Sequence, residues 1–301
     1  MSQSQDATEL TMPLDPADKL SFERIGKASR IVKEYLLNPI INYLVPTWFL
    51  KFFLRRSKSE LLKECLVRPG GWMSMELSYD TEKECKDWLD ALVMRWGAMP
   101  MALRNRKKLV SRILAGLIRE YAAKGHVKVL GIGAGPSRNL LSAVILAGET
   151  NVSATCIDLD AEAFSFGKKI WKESGIAVDS VVFLEGDAAD LTRKIHIVPQ
   201  IVKLVGILEY LDDASVNRLL QVAHDCLQEG GSVVTHSVYP GHGVDPFMRR
   251  VFGLCLRYRT TEDLIGRLTR AGFGDFQTHS EPIGVYTVIQ AVKRSPAISR
   301  E

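Results

Sequence analysis

The 301-residue sequence has no cysteine arrangement that could staple a small domain or hold a metal. Its five cysteines, Cys65, Cys85, Cys156, Cys226 and Cys255, are odd in number and far apart, and none forms a C-x-x-C pair or stands at ligand spacing from the six histidines. No metal centre is expected, and a reducing, cytoplasmic compartment fits this usage. Charge of one sign is also scarce: 39 basic against 35 acidic residues leave +4, with no basic stripe interleaved with aromatics. Nucleic acid is therefore not an expected partner. The start, Met1 to Asp18, lacks both a charged-then-apolar pattern and a small-residue cleavage site. Residues 1–19 read as a loose tail rather than a targeting segment, as do 295–301. Repeats and low-complexity stretches are absent as well.

What is present is ordinary for a folded chain: 46% hydrophobic and 25% charged residues, enough for one large core or two modest ones. Two textures follow each other. In residues 20–104 apolar side chains recur at three- and four-residue spacing, which predicts a helical cap of four or five pieces divided at Pro39, Pro46, Pro69 and Pro100. One stretch, Tyr35 to Leu54, is apolar and aromatic for about 20 residues, near bilayer-spanning length. Two prolines, two asparagines and Lys51 argue against spanning. The expectation is buried helix-packing surface, with contact to a membrane surface or a greasy substrate, suggested by aromatics followed by Arg55 and Arg56, as the lesser reading.

From Val127 onward short β-rich runs alternate with helical patterns: VKVLGIG, VSATCIDLD, SVVFLEGD, IVKLVGILEY and GSVVTHSVY. Alternation of this kind predicts an α/β domain over 105–294 with a doubly wound, mostly parallel sheet. Thr260, with Asp263 three residues on, predicts a capped helix, and FQTHSE and GVYTVIQAV predict an antiparallel C-terminal hairpin, for seven strands in all.

The first strand runs into Gly131-Ile132-Gly133-Ala134-Gly135-Pro136-Ser137 and then a helix. Strand, glycine turn and helix is the context in which backbone can approach a ligand closely and helix-start N–H groups can meet an anionic group. Asp158 closes the second strand about 23 residues after Gly135, where an acid can accept from both ribose hydroxyls, with Leu159 against the base. The plain alternative for Asp158, helix capping, is better served by Asp160. Asp187 and Ala188 follow the third strand, on the rim where an adenine amino group would be met, and Gly206 to Tyr210 follows the fourth. Three strand ends converge on an adenosine-containing ligand.

On these residues the chain resembles the class I S-adenosylmethionine-dependent methyltransferases, over roughly 106–294. The resemblance implies S-adenosylmethionine as cofactor, with Gly131, Gly133, Ala134, Gly135 and Gly206 around its methionine part, Asp158 and Leu159 at the nucleoside, and Asp187 and Ala188 at adenine. The segments Gly206-Ile207-Leu208-Glu209-Tyr210-Leu211 and Leu256-Arg257-Tyr258-Arg259 look like small-molecule members with a Gly-x-x-Asp/Glu-Tyr-Leu motif, including ones thought to esterify hydroxy-fatty acids. Two positions depart from the pattern: Gly131 stands where the family carries an acid that helps hold the cofactor's ammonium, and Ser137 replaces a third glycine.

Methyl transfer to a small, partly apolar molecule is the leading expectation, a reaction that needs alignment more than acid–base apparatus. Glu209, Tyr210 and His236 are the candidates for base or orienter; their plain readings are a helix-start charge, packing and a satisfied strand histidine. The aromatics Tyr35, Tyr43, Trp48, Phe49, Trp72, Trp88 and Trp96 are expected to lid the site. Gly131 motivates an alternative in which the aminobutyrate carbon is attacked, by transfer or by cyclisation to azetidine-2-carboxylate, with release of methylthioadenosine. A non-catalytic binding module is a third reading, since fold does not fix function.

Overall fold

The computed structural model describes residues 21–79, 88–176, 180–188, 190 and 197–294. The expected tails, 1–19 and 295–301, and Cys85 lie outside the described residues. Seven strands form one sheet: β1 (Val127–Ile132), β2 (Val152–Asp158), β3 (Val181–Glu185), β4 (Ile201–Leu204), β5 (Ser232–Val238), β6 (Phe273–Ser280) and β7 (Tyr286–Lys293). Their order is 3-2-1-4-5-7-6, parallel from β3 through β5, with β7 antiparallel to both β5 and β6. Strand order reverses between β1 and β4, which opens a crevice at their carboxyl ends.

Parallel strands are covered on both faces and read as continuous apolar runs, and β4 is buried at every residue. One face of the sheet packs on α6 (Ala98–Ala122), α7 (Arg138–Ala147) and α8 (Ala161–Glu173) through Leu114, Ile118, Leu140 and Trp171. The other packs on α9 (Asp213–Cys226) and α10 (Thr261–Arg270) through Leu220, Leu264 and Leu268. The caps follow the sequence rules: Asp160 accepts from the Glu162 amide at 2.9 Å, Asp212 from Ser215 at 2.8 Å and Thr260 from Asp263 at 3.1 Å. Glu281 closes the β6–β7 hairpin, its buried carboxylate accepting from the amides of Ile283 and Val285, each at 2.7 Å.

The cap comprises α1 (Lys27–Val32), α2 (Thr47–Arg56), α3 (Glu60–Val67), α4 (Trp72–Tyr79) and α5 (Trp88–Trp96). The chain passes from cap to sheet domain inside a helix, because α6 runs unbroken across the expected 104/105 boundary. Ala98, Met101 and Ala102 pack on Val285 and Tyr286, while Leu109 to Tyr121 pack on the sheet. Pro100 sits in the first turn of α6, where the missing N–H has no helical partner to lose. Pro39 does not divide its helix either: Asn38 and Pro39 both stay helical, between two wide π-type stretches, Lys33–Leu37 and Ile40–Leu44, that relieve the ring's clash.

The expectation of buried packing surface at Tyr35 to Leu54 needs correction. Tyr35, Tyr43, Leu44 and Trp48 are each at least 70% exposed, and Phe49, Phe52 and Phe53 are more than 40% exposed. Only one edge packs: Leu54 enters a small core with Leu62, Val251 and Phe252, Asn42 donates to the Gly243 carbonyl at 2.8 Å, and Arg250 donates to the carbonyls of Ile41 and Val45. Two short amphipathic arms laid over a loop cannot bury both faces. No helix among the described residues is long and apolar enough to cross a membrane.

Candidate cofactor groove and acceptor cavity

The crevice over β1 and β4 is a groove of about 580 Å³, within the range of small-ligand sites. Its floor is the glycine turn. Gly133 and Gly135 have φ of +58° and +52°, a conformation that only glycine adopts without strain, and a Cβ on Gly133 would stand 2.8 Å from Ile207. Ser137, at the third glycine position, also takes a left-handed conformation, φ +61°, and is buried with its hydroxyl accepting from the Cys156 thiol. The missing glycine is thus replaced by a serine that bears the strain glycine would avoid.

Asp158 ties the turn to β2: one carboxylate oxygen accepts from the Gly135 amide at 2.7 Å and the other from Asp160 at 3.1 Å. Each oxygen keeps a second lone pair, so the carboxylate can still receive hydroxyls. Ala134, Leu159, Asp187, Ala188 and Gly206 line the same groove, and Leu159 is 73% exposed into it. Gly131 does not line the groove; it is buried inside β1, with Cys156 on one side and Lys203 on the other.

The segment after β4 forms a single tight turn, Leu208–Tyr210, and the LRYR segment is what holds it. Arg259 donates to the carbonyls of Leu208 and Leu211, each at 2.7 Å, and pairs with Asp213 at 2.7 Å, while the Arg257 amide donates to the Glu209 carbonyl at 2.8 Å. The two motifs are one structural unit.

This turn buries Glu209 in a cluster with Arg106 and His236. Glu209 Oε1 lies 3.6 Å from Arg106 Nη1 and 3.3 Å from His236 Nε2, and Arg106 stacks 4.6 Å from the Tyr286 ring centre. Burial opposes the Glu209 charge, yet His236 and Arg106 outweigh it and hold the carboxyl well below its ordinary value. Burial pushes the His236 imidazole down against the pull of Glu209, so Arg106 is the permanent counter-charge. Glu209 Oε2, Arg106 Nε and His236 Nδ1 have no hydrogen-bond partner among the described residues.

A second cavity, about 330 Å³ and mostly apolar, lies under the cap, walled by Leu37, Ile41, Leu61, Leu103, Phe247, Phe252 and Leu256. Glu209 and Tyr286 are among its polar walls. Tyr210, Gly70, Pro69 and Met75 line both this cavity and the groove, so they form the partition between them. The Tyr210 hydroxyl donates to the Gly70 carbonyl at 3.4 Å. Lost solvation, with Glu209 adjacent, pushes that phenol up from its ordinary value, so it is a neutral donor and not a base. His236 lines neither cavity and stands behind Glu209. Of the expected lid aromatics, Trp72 lines the groove and Trp96 the second cavity; Tyr35, Tyr43, Trp48, Phe49 and Trp88 line neither and are exposed. The lid over the groove is α4, through Trp72, Met75 and Tyr79.

A family model described as "putative methyltransferase" matches residues 86–293. The chain belongs to this methyltransferase family. A "possible exported protein" from Bordetella parapertussis is similar in structure, with TM-score 0.68 at 17% identity over 90% of this chain and 98% of that one. Magnesium protoporphyrin IX methyltransferase from Synechocystis, solved with bound S-adenosylhomocysteine, gives 0.53 at 11% identity over 86% and 99%. A "putative O-methyltransferase" from Nostoc punctiforme gives 0.52 at 18% identity over 86% and 73%. At these identities the likeness is one of fold. No curated protein matches the sequence significantly.

Within this family member, three groups in the site carry little or no signal that local sequence pattern makes obvious. Arg106 sits in a run of basic residues that reads as a solvated helix face. Tyr286 reads as an ordinary strand aromatic. Lys203 carried a usable signal: a lone lysine inside an otherwise apolar parallel strand, where a charge is costly to bury.

Proposed function

We propose that this methyltransferase transfers the methyl group of S-adenosylmethionine to a small, partly apolar acceptor seated in the cavity under the cap. The groove fits that cofactor by its donor set: a glycine turn with two positive-φ glycines, an acid on β2, an acid after β3, and a buried Trp72 Nε1–H without a partner in its wall. When bound there, S-adenosylmethionine supplies an electrophilic methyl group. The protein's part is alignment and exclusion of water. The observation that carries the acceptor assignment is Glu209: it lines the apolar cavity, is held ionised by Arg106, and has one carboxylate oxygen without a partner among the described residues. A hydroxyl on the acceptor would donate to that oxygen, which orients it toward the partition. Tyr210 and Gly70 occupy the partition across which the two ligands meet. The free thiols Cys65, Cys156, Cys226 and Cys255 suit a reducing, cytoplasmic compartment.

One observation favours a second reading, attack on the aminobutyrate carbon. Gly131 leaves the amino-acid end of the groove without the acid that would hold an ammonium, and a neutral amine is a nucleophile. Mass spectrometry of the products formed from S-adenosylmethionine and an acceptor library separates the two. S-adenosylhomocysteine with a methylated product supports methyl transfer, methylthioadenosine alone supports the second reading, and turnover of neither, despite tight binding, leaves a binding module.

A further inference from the structure

Lys203 is a buried cation with no ion pair among the described residues, and Asp158 and Glu209 act on it only at longer range. It is 3% exposed, lines the groove, and has neither an ion pair nor a hydrogen bond among the described residues. Neighbouring charged groups on this wall have direct partners. Arg106 is set against Glu209, Arg138 is paired with Glu76, and both oxygens of Asp158 receive backbone amides. Beside Gly131 in the sheet, Lys203 stands on one side and Cys156 on the other. Burial pushes the Cys156 thiol up to about 11, so it stays neutral and supplies no counter-charge. Burial also pushes the Lys203 ammonium down to about 8, against the longer-range pull of Asp158 and Glu209.

Gly131 itself is not required by the backbone. It lies inside β1, paired on both sides, and is absent from the positive-φ glycines. A Cβ there would meet the Ala134 Cβ at 3.3 Å, a tight but local contact. What the glycine removes is a side chain at the strand position paired with Lys203, where an acid would stand one strand away from the lysine.

We propose that Lys203 is the binding group for the α-carboxylate of the ligand's amino-acid moiety, so that this end of the groove selects an anion where a carboxylate at position 131 would select a cation. The assignment rests on the S-adenosylmethionine reading of the groove. It makes Lys203 a specificity determinant: ligands lacking the carboxylate bind poorly, whatever the state of their amine. A hydrogen-bonded charge pair desolvated in this way is worth roughly 10- to 100-fold in affinity.

The test is calorimetric titration of the full chain with three ligands: S-adenosylhomocysteine, its decarboxylated analogue and methylthioadenosine, which lacks the whole amino-acid part. Wild type is expected to bind S-adenosylhomocysteine about 10- to 100-fold more tightly than the decarboxylated analogue. In Lys203→Met that preference collapses to about threefold or less, while methylthioadenosine binds as in wild type, which also reports that the groove is intact. Lys203→Arg retains most of the preference. Gly131→Asp, which places an acid beside the lysine, weakens S-adenosylhomocysteine more than methylthioadenosine. An undiminished carboxylate preference in Lys203→Met overturns the assignment and leaves the cofactor reading standing. Failure of wild type to bind any of the three overturns both.

Discussion

Replacing Glu209 by Gln tests the cluster on which the acceptor assignment depends. The substitution keeps shape and removes charge, leaving Arg106, 1% exposed, with its guanidinium 3.6 Å from a neutral amide. Removing one partner of a buried ion pair costs about 3–5 kcal/mol, because the remaining charge stays desolvated. Two features place the cost near the lower end of that range: Arg106 keeps the Tyr286 ring at 4.6 Å, and Glu209 Oε2 had no partner to lose. Glu209→Gln and Arg106→Met should each destabilise by about 3 kcal/mol, and the double variant by much less than their sum, with a coupling of about 1–3 kcal/mol. Urea unfolding of the four proteins at pH 7 measures this cycle. The pH dependence supplies a second readout. The Glu209 carboxyl is depressed in the folded state, so its stabilisation is fully present above the ordinary carboxyl range and is lost as pH falls through that range toward about 2. Glu209→Gln should flatten that acid limb. Additivity of the single variants within about 0.5 kcal/mol would refute the pairing, and with it the claim that Arg106 holds Glu209 ionised beside the acceptor cavity.

Three further outcomes are expected. Asp158→Ala loses both its amide contacts and any hydroxyl contact to ligand, and should weaken S-adenosylhomocysteine about 100-fold by calorimetry; affinity within threefold of wild type would remove Asp158 from the site. Arg259→Lys cannot reproduce the fork that spans the Leu208 and Leu211 carbonyls, so amides of the Leu208–Tyr210 turn should exchange faster while those of β1 do not; equal exchange would show that the turn holds itself. Lys203, depressed to about 8 in the folded state, makes the unfolded chain bind more protons between that value and about 10.5. Wild type without ligand should therefore gain up to about 3 kcal/mol relative to Lys203→Met as pH rises through that window, and parallel stability curves would refute its burial as a free cation.

Much of the fold can be read from local pattern. Apolar runs of strand length, separated by helical periodicity, demand a parallel sheet covered on both faces, and all seven strands overlap the runs that predict them, although β6 begins at Phe273, ahead of FQTHSE. The glycine turn and the caps at Asp160 and Thr260 were legible because each is settled by a few neighbouring residues and by backbone sterics. The cap was less so. Tyr35 to Leu54 has the composition of a core segment, but composition cannot say whether a second layer exists to cover it, and those aromatics are largely exposed. Likewise Pro39 and Pro100 read as breaks, while wide helical turns and a first-turn position absorb them.

The amino-acid sequence by itself determined the groove's floor and rim: Gly133, Gly135, Asp158 and Asp187 stand at the carboxyl ends of strands whose alternation with helices is legible, and they line one groove. Tertiary structure alone decided the charge balance around that groove. Arg106 and Glu209 are 103 residues apart by number, and Gly131 and Lys203 are 72 apart. Electrostatic energy depends on distance and solvent, which sequence separation does not encode, so only the folded chain shows which buried charges pair directly and that Lys203 has no ion pair among the described residues.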